Sequence, residues 1–293
     1  MPSRLPWIAL GVVYVLWGTT YLANRFIVVE VPPLLVGGYR FLVGGALLAV
    51  VVLAVAGRAA FRMSIRQLGT TLLSGLLLPA WGNGLVVVAQ QGVSSGLTAL
   101  LIAAVPLWIM TLRALTGDRP RPPTPASVAG PVSGGAHGTA WWGPWLVLLA
   151  GLGWAAGTFA TTRLPVPPNP FALATVQMLT GGAILMVAGT ATGERVDWAA
   201  LSPTTWWAWA YIAVVVTLGA FSAFAYALGS LPISTVSTYA YVNPVIAVAL
   251  GARVAGERFT VLQLAGGAIV LLAVVVVILA ERERRTPVAA SRA

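Results

Sequence analysis

Polar side chains are few in this chain of 293 residues, and those inside its long apolar stretches are the first candidates for chemistry. One group is Trp17, Thr19, Thr20, Tyr21 and Asn24, and a second is Asn83 within Pro79-Ala80-Trp81-Gly82-Asn83-Gly84. A third comprises Ser234, Thr235, Ser237, Thr238, Tyr239, Tyr241, Asn243 and Pro244. Hydroxyls, amides and indoles recognise a solute reversibly through hydrogen bonds and aromatic contact, but they need a base, an acid or a metal beside them to do covalent chemistry. Those partners are missing. The seven acids (Glu30, Asp118, Glu194, Asp197, Glu257, Glu281, Glu283) stand at segment ends, His137 lies alone in a Gly-rich link, and there is no Cys. A nucleophile with its base, a carboxylate pair and a metal-ligand set are all absent from the pattern, so neither an enzyme nor a bound cofactor is expected.

The elements that hold these residues follow from composition. With 58% hydrophobic and 8% charged residues and a mean hydropathy of +0.89, the chain reads as an all-α integral membrane protein whose lipid bilayer is its solvent. A helix needs about 20 apolar residues to cross a hydrocarbon core of about 30 Å. Nine stretches qualify: Leu5 to Val29, Leu34 to Ala56, Leu68 to Ala89, Val93 to Leu115, Gly143 to Thr162, Phe171 to Thr192, Trp206 to Leu228, Pro232 to Val254 and Thr260 to Ala280. The segment Pro122 to Trp142 is uncharged, but its prolines each remove a helix hydrogen bond that lipid cannot replace. The net charge of +10, all from Arg, reads as juxtamembrane charge facing anionic lipid, not as a nucleic-acid surface.

In this frame each candidate has two readings. Trp17 lies about 18 Å from Leu5 by helical rise, near the midplane, and either lines a cavity with Tyr21 or packs helices. Pro79 and its glycines loosen the third span so that Asn83 either faces a solute or bonds a neighbouring helix. Ser234, Ser237 or Thr238, and Tyr241 share one face at helical spacing, either along a pathway or as helix-to-helix glue, and Asn243 sits just beyond. Arg40 snorkels, pairs structurally with a helix C-terminus, or binds substrate, and Gln177 is a structural hydrogen-bonder. The Trp141, Trp142, Trp145 and Trp206, Trp207, Trp209 clusters read as interface belts.

A shift of 137 residues sets Trp17 on Trp154, Pro33 on Pro170, Arg40 on Gln177 and Gly44-Gly45-Ala46 on Gly181-Gly182-Ala183. Shifts of 138 and 139 set Pro106 on Pro244 and Gly117-Asp118 on Gly256-Glu257. The chain therefore reads as two copies of a five-helix unit: residues 1–121 with four clear spans, 122–142 as a degenerate fifth span or linker, 143–281 with five spans, and 282–293 as a basic tail. An odd number of spans per copy inverts the second, giving an inverted repeat of ten transmembrane helices. With ten crossings Arg4, 58, 62, 66, 113, 119, 121, 163, 282, 284, 285 and 292 fall on the cytoplasmic side, against Arg25, 195, 253 and 258 outside, 12 to 4. With nine crossings the count is 10 to 6, so the positive-inside rule favours ten.

Five patterns in this order resemble the drug/metabolite transporter superfamily, in particular its EamA-type ten-helix members. They are Trp17-Gly18-Thr19-Thr20-Tyr21; Pro33 to Arg40 with Gly44-Gly45-Ala46; Trp154-Ala155-Ala156-Gly157-Thr158; Asn243-Pro244; and Gly256-Glu257 with Gln263 and Gly266-Gly267. The resemblance covers nearly the whole chain except Pro122 to Trp142. It implies a carrier of the inner (cytoplasmic) membrane with both termini cytoplasmic, a central cavity between the halves, and export or exchange of a small-molecule substrate.

Trp17, Tyr21, Asn83, Ser234, Ser237, Tyr241 and Asn243 are the candidate substrate-binding residues. Without a buried charge they suit neutral or zwitterionic solutes such as amino acids or amphipathic compounds. A non-transporting scaffold or regulatory protein built on the carrier fold is the alternative, and the oligomeric state stays open. The arginine count predicts that a cytoplasm-active reporter fused after Arg292 is bright and a periplasm-active one silent. The reverse result would mean nine crossings.

Overall fold

The computed structural model describes residues 4–117 and 140–261, with residues 264, 265, 268 and 272 beyond them. Among these, eight helices are long and apolar enough to cross a membrane: α1 (Leu5–Ile27), α2 (Pro33–Ala56), α3 (Ile65–Ala89), α4 (Ser95–Leu115), α5 (Gly143–Arg163), α6 (Pro170–Ala191), α7 (Pro203–Ser230) and α8 (Ile233–Val254). No strand occurs among the described residues. The stretch Pro122 to Trp142, except its last three residues, and most of Thr260 to Ala280 lie outside them.

Caps set the helix starts, and two lie upstream of the apolar stretches. Ser64 and Gln67 form a capping box, with Ser64 Oγ accepting from Gln67 N and Gln67 Oε1 from Ser64 N, so α3 starts at Ile65 and not at Leu68. Ser202 Oγ accepts from Thr205 N ahead of Pro203, so α7 starts before Trp206.

Four of the helices are irregular inside the span. In α3 the turns widen to π geometry over Leu76–Asn83, where Pro79 cannot donate to the Gly75 carbonyl, and α7 does the same over Tyr211–Phe221. Helix α4 breaks between Ile102 and Val105, just before Pro106. Helix α8 breaks between Val236 and Tyr239, where Ser237 Oγ donates to the Ile233 carbonyl (2.7 Å) and Thr238 Oγ1 to the Thr235 carbonyl. The break ends the continuous face expected of Ser234, Ser237 and Tyr241, because the helix restarts at Tyr239 in a new register.

Packing centres on α2 against α6. A Cβ at Gly182 would stand 2.9 Å from Leu42 N and 3.1 Å from the Gly38 carbonyl oxygen, and one at Gly45 would stand 3.0 Å from the Leu179 side chain. Only glycine lets these backbones come so close, and in lipid such small-residue contact is what holds helices together. Helix α3 joins through Gly181, whose added Cβ would fall on the Pro79 ring and 2.8 Å from the Gly75 carbonyl oxygen. Helix α1 packs against α8, α7 and α4, with Gly18 beneath Ile246.

Acids at one end tie the last helices to the first. Glu194 accepts from Leu34 N and Leu35 N at the start of α2 (3.3 and 2.9 Å), and Glu257 accepts from Ser95 N, Ser95 Oγ and Gly96 N at the start of α4 (2.9, 2.9 and 3.2 Å). Glu30 accepts from Ser202 N at the start of α7 (2.8 Å). Each carboxylate meets the positive end of a helix dipole and its unbonded N–H groups. The Ser202 backbone N–H holds the Glu30 carboxyl below its usual 4.5. Its contribution is therefore present at neutral pH and lost as pH falls through the acidic range. Glu30 and Glu257, read from the sequence only as acids at segment ends, thus cap helices.

Gly181→Ala is expected to lower stability by about 1–3 kcal/mol through overpacking against Pro79 and the Gly75 carbonyl. Gly11→Ala, with nothing within 4 Å of its Cβ, should be neutral or slightly stabilising. Thermal midpoints of the two variants in detergent compare them directly.

Candidate functional site

The irregular turns of α3, the middle of α1 and the start of the second piece of α8 surround a cavity of about 50 Å³ lined by Trp17, Thr20, Tyr21, Asn24, Gly82, Asn83, Val86, Ile102, Ala150, Trp154 and Tyr239. Three of its aromatic rings, Trp17, Trp154 and Tyr239, pack on a fourth, Phe224, that lies behind them. Trp17 meets Trp154 edge-on at 5.2 Å, Tyr239 at 4.8 Å and Phe224 at 4.9 Å, and Phe224 also packs on Trp154 at 5.7 Å and Tyr239 at 5.9 Å. Phe224 itself lines a vestibule of about 690 Å³ that runs past Gln177 and Leu173 to the 164–170 link and the Gly229–Ile233 turn. The aromatic layer is therefore the wall between a wide vestibule and a narrow inner cavity.

At the opposite end side-chain amides bridge α1 and the end of α3. Gln90 Nε2 donates to the Tyr21 carbonyl (2.9 Å), and Asn24 Nδ2 donates to Gln90 Oε1 (3.0 Å). Above them Ala23, Ile27, Val28, Val31, Val36, Val87 and Ile212 form an apolar cluster separate from the main core. The Asn24 Oδ1 acceptor is buried without a protein partner.

Beside the cavity lies a charge that the sequence did not place there. Arg40 is 2% exposed; its Nε donates to Thr217 Oγ1 (2.7 Å) in the π segment of α7, and its Nη2 donates to Asn83 Oδ1 (3.3 Å) at the end of the π segment of α3. It does not snorkel. Gln177, its counterpart at the 137 shift, donates to Ser74 Oγ (2.7 Å) and so is a structural hydrogen-bonder that also lines the vestibule.

Of the candidates read from the sequence, Trp17, Tyr21 and Asn83 meet at the inner cavity. Asn83 lines the cavity and also bonds α2 through Arg40. Ser234, Ser237, Tyr241 and Asn243 line neither space. Ser237 bonds within α8; Asn243, with its amide nitrogen oriented to donate, meets the Tyr14 and Tyr239 carbonyls at 3.1 Å each, so it fastens α8 to α1. Tyr241 packs on the main core and Ser234 is half-buried at the start of α8. The substrate-binding set read from the sequence omitted Trp154, Phe224 and Gln90, and left Asn24 and Tyr239 as polar mid-span residues without that role. Trp154 could have been found as the repeat partner of Trp17, whereas Gln90 sits in a polar Ala-Gln-Gln-Gly run that looks like an ordinary span end. Among the described residues no group of His, Cys, Asp or Glu could hold a metal ion.

The EamA-like transporter family matches this chain twice, over residues 5–132 and 141–279. The inner membrane transporter YedA, itself uncharacterized, is 36% identical over 271 residues in Escherichia coli K12, covering 89% of this chain and 87% of that protein. Its counterpart in Escherichia coli O157:H7 matches to the same extent. A crystal structure of another protein, 18% identical, overlays 96% of this chain and 100% of its own at a TM-score of 0.68, which shows a shared fold. With a family match over most of its length and eight apolar helices, the chain belongs to the EamA-like transporters of the drug/metabolite transporter superfamily and is a multi-pass membrane transporter.

Proposed function

We propose that the protein is a secondary carrier that moves a small neutral or zwitterionic metabolite across the inner membrane by alternating access. The observation that carries this reading is the asymmetry of the two spaces. A vestibule of about 690 Å³ lies in the range of small-molecule sites, about 300–1,000 Å³. It stops at the aromatic layer, and beyond that layer a cavity of about 50 Å³ ends at the bridging amides and the apolar cluster. A solute reaching the inner cavity must part the aromatic rings, and leaving by the other end requires that cluster to open. Trp17, Tyr21, Asn83, Asn24, Trp154 and Tyr239 supply its contacts, and Ser234, Ser237, Tyr241 and Asn243 serve the packing and bending of α8.

The ten-helix inverted repeat fits the same reading. The π segment Leu76–Asn83, shifted by 137, falls on residues 213–220, inside the π segment Tyr211–Phe221. The vestibule opens at the 164–170 link, which follows Arg163 on the side that the arginine count makes cytoplasmic, with both termini. The described acids Glu30, Glu194 and Glu257 cap helices at the far end and Asp197 lies in a link, so none sits in the pathway. The carrier then works as a uniporter or exchanger without proton coupling.

Comparing metabolites released by cells with and without the protein should reveal at least one small solute whose export depends on it. Trp17→Ala should cut that flux about tenfold, the loss of one aromatic contact of about 1.4 kcal/mol, and Trp17→Phe should restore most of it at equal membrane levels. Identical release in both cells would refute the carrier. In proteoliposomes the initial rate should ignore an imposed pH gradient at constant internal pH for any solute whose charge does not change.

A further inference from the structure

Hydrogen bonds fix which way the cavity amide at Asn83 points. A guanidinium has donors only, so the contact from Arg40 Nη2 must be to the oxygen of Asn83. The Asn83 Nδ2 group is thereby left for other partners, and it reaches only the Leu78 carbonyl at a long 3.4 Å. A donor that is itself bonded through its carbonyl to a cation is polarised in the sense that strengthens it. Asn83, which lines the cavity, therefore keeps a weakly engaged donor backed by a positive charge.

That charge has no described counter-ion. Of the donor groups of Arg40, Nε is taken by Thr217 and Nη2 by Asn83, while Nη1 is buried without a partner. The Glu194 carboxylate binds at Leu34 and Leu35, about 8 Å up the helix from Arg40 by rise. Glu257 and Glu30 are engaged at the starts of α4 and α7. An uncompensated buried cation is costly, and an anionic group entering the adjoining cavity relieves that cost. One guanidinium and one amide match the single charge of a carboxylate. A phosphate monoester, at about −2, would want a second cation, and none lines the cavity.

We propose that Arg40, acting through Asn83, makes the inner cavity selective for solutes that carry a carboxylate. The proposal rests on the carrier reading and narrows it: neutral amphipathic compounds are excluded, and zwitterions enter by virtue of their acid group. Asn83 contacts the solute. Arg40 is the positioning residue that turns the amide donor inward and supplies the field.

The test is thermal unfolding of the purified full-length protein in detergent with matched triplets: the common amino acids, their carboxamides and their decarboxylated amines. The acids should raise the midpoint, and the amides and amines of the same side chain should not. Arg40→Gln should weaken acid binding by about tenfold or more, the range of one hydrogen bond to a charged group, and remove the discrimination, while Arg40→Lys should keep it at reduced affinity. Should Arg40→Gln not fold, Asn83→Asp serves: it gives Arg40 an internal counter-ion of nearly the same shape, so the protein should stay stable and lose its response to acids. Equal shifts from amides or amines, an acid-selective shift surviving in Arg40→Gln or Asn83→Asp, or no shift from any class would each overturn the proposal. Metabolite release by cells judges the carrier reading separately, so failure of one is distinguishable from failure of the other.

Discussion

Helices already immersed in hydrocarbon gain nothing hydrophobic by meeting, so the contact that organises this molecule has to be steric. It is the glycine-lined approach of α2 to α6, where Gly182 lies against the Leu42 amide and the Gly38 carbonyl. Everything at the site hangs from it. With α2 fixed, Arg40 faces inward between α3 and α7. With α6 fixed, Gly181 receives the Pro79 ring, and the widened turns of α3 come to rest beside Trp154, where Gly82 leaves room for the indole. A bulkier residue at either contact would displace the two helices that carry the polar groups of the cavity.

The second constraint is that a polar group in lipid must find its partner inside the protein. Most do so locally: Thr71, Thr98, Thr111 and Thr175 each return their hydroxyl to a carbonyl four residues back. Some groups find no partner. Asn24 Oδ1, Arg40 Nη1, Thr158 Oγ1 and Ser222 Oγ are buried and unpartnered on α1, α2, α5 and α7. The first belongs to a residue lining the inner cavity and the second is one bond behind it. Two of the unmet groups therefore lie at or beside the cavity, where a solute could meet them.

Eight of the nine apolar stretches read from the sequence are helices here, because length and hydropathy in a membrane are long-range signals that local detail cannot hide. Helix starts were less legible. Ser64-Gln67 and Ser202-Pro203 cap helices from outside the apolar run, where hydropathy does not look. At the site, Trp17, Tyr21 and Asn83 were readable as polar or aromatic residues at mid-span. Ser234, Ser237, Tyr241 and Asn243 were equally conspicuous but do not line the cavity, since hydroxyl density does not distinguish a solvated face from a helix that bends on its own side chains. The place of Arg40 was illegible for a different reason. Six residues into an apolar stretch, it could snorkel; only the tertiary placement of Asn83 and Thr217 shows that it turns inward.

The contacts that join the first four helices to the last four differ in what it costs to break them, and that difference says which parts can move. The carboxylates of Glu30, Glu194 and Glu257 bond helix starts at the membrane edge, where water can replace each lost bond, so their net contribution is small and exchangeable. The α2–α6 crossing has no substitute, because separating those backbones would open voids that neither lipid nor water fills well. The aromatic layer is intermediate: Trp17, Phe224, Trp154 and Tyr239 meet edge-on or tilted, in geometries that differ by little in energy, so a ring can rotate away without leaving an unsatisfied polar group. For the carrier proposed above, reorientation about a fixed α2–α6 axis, with caps yielding at one end and rings at the other, would be the motion that breaks the least costly contacts.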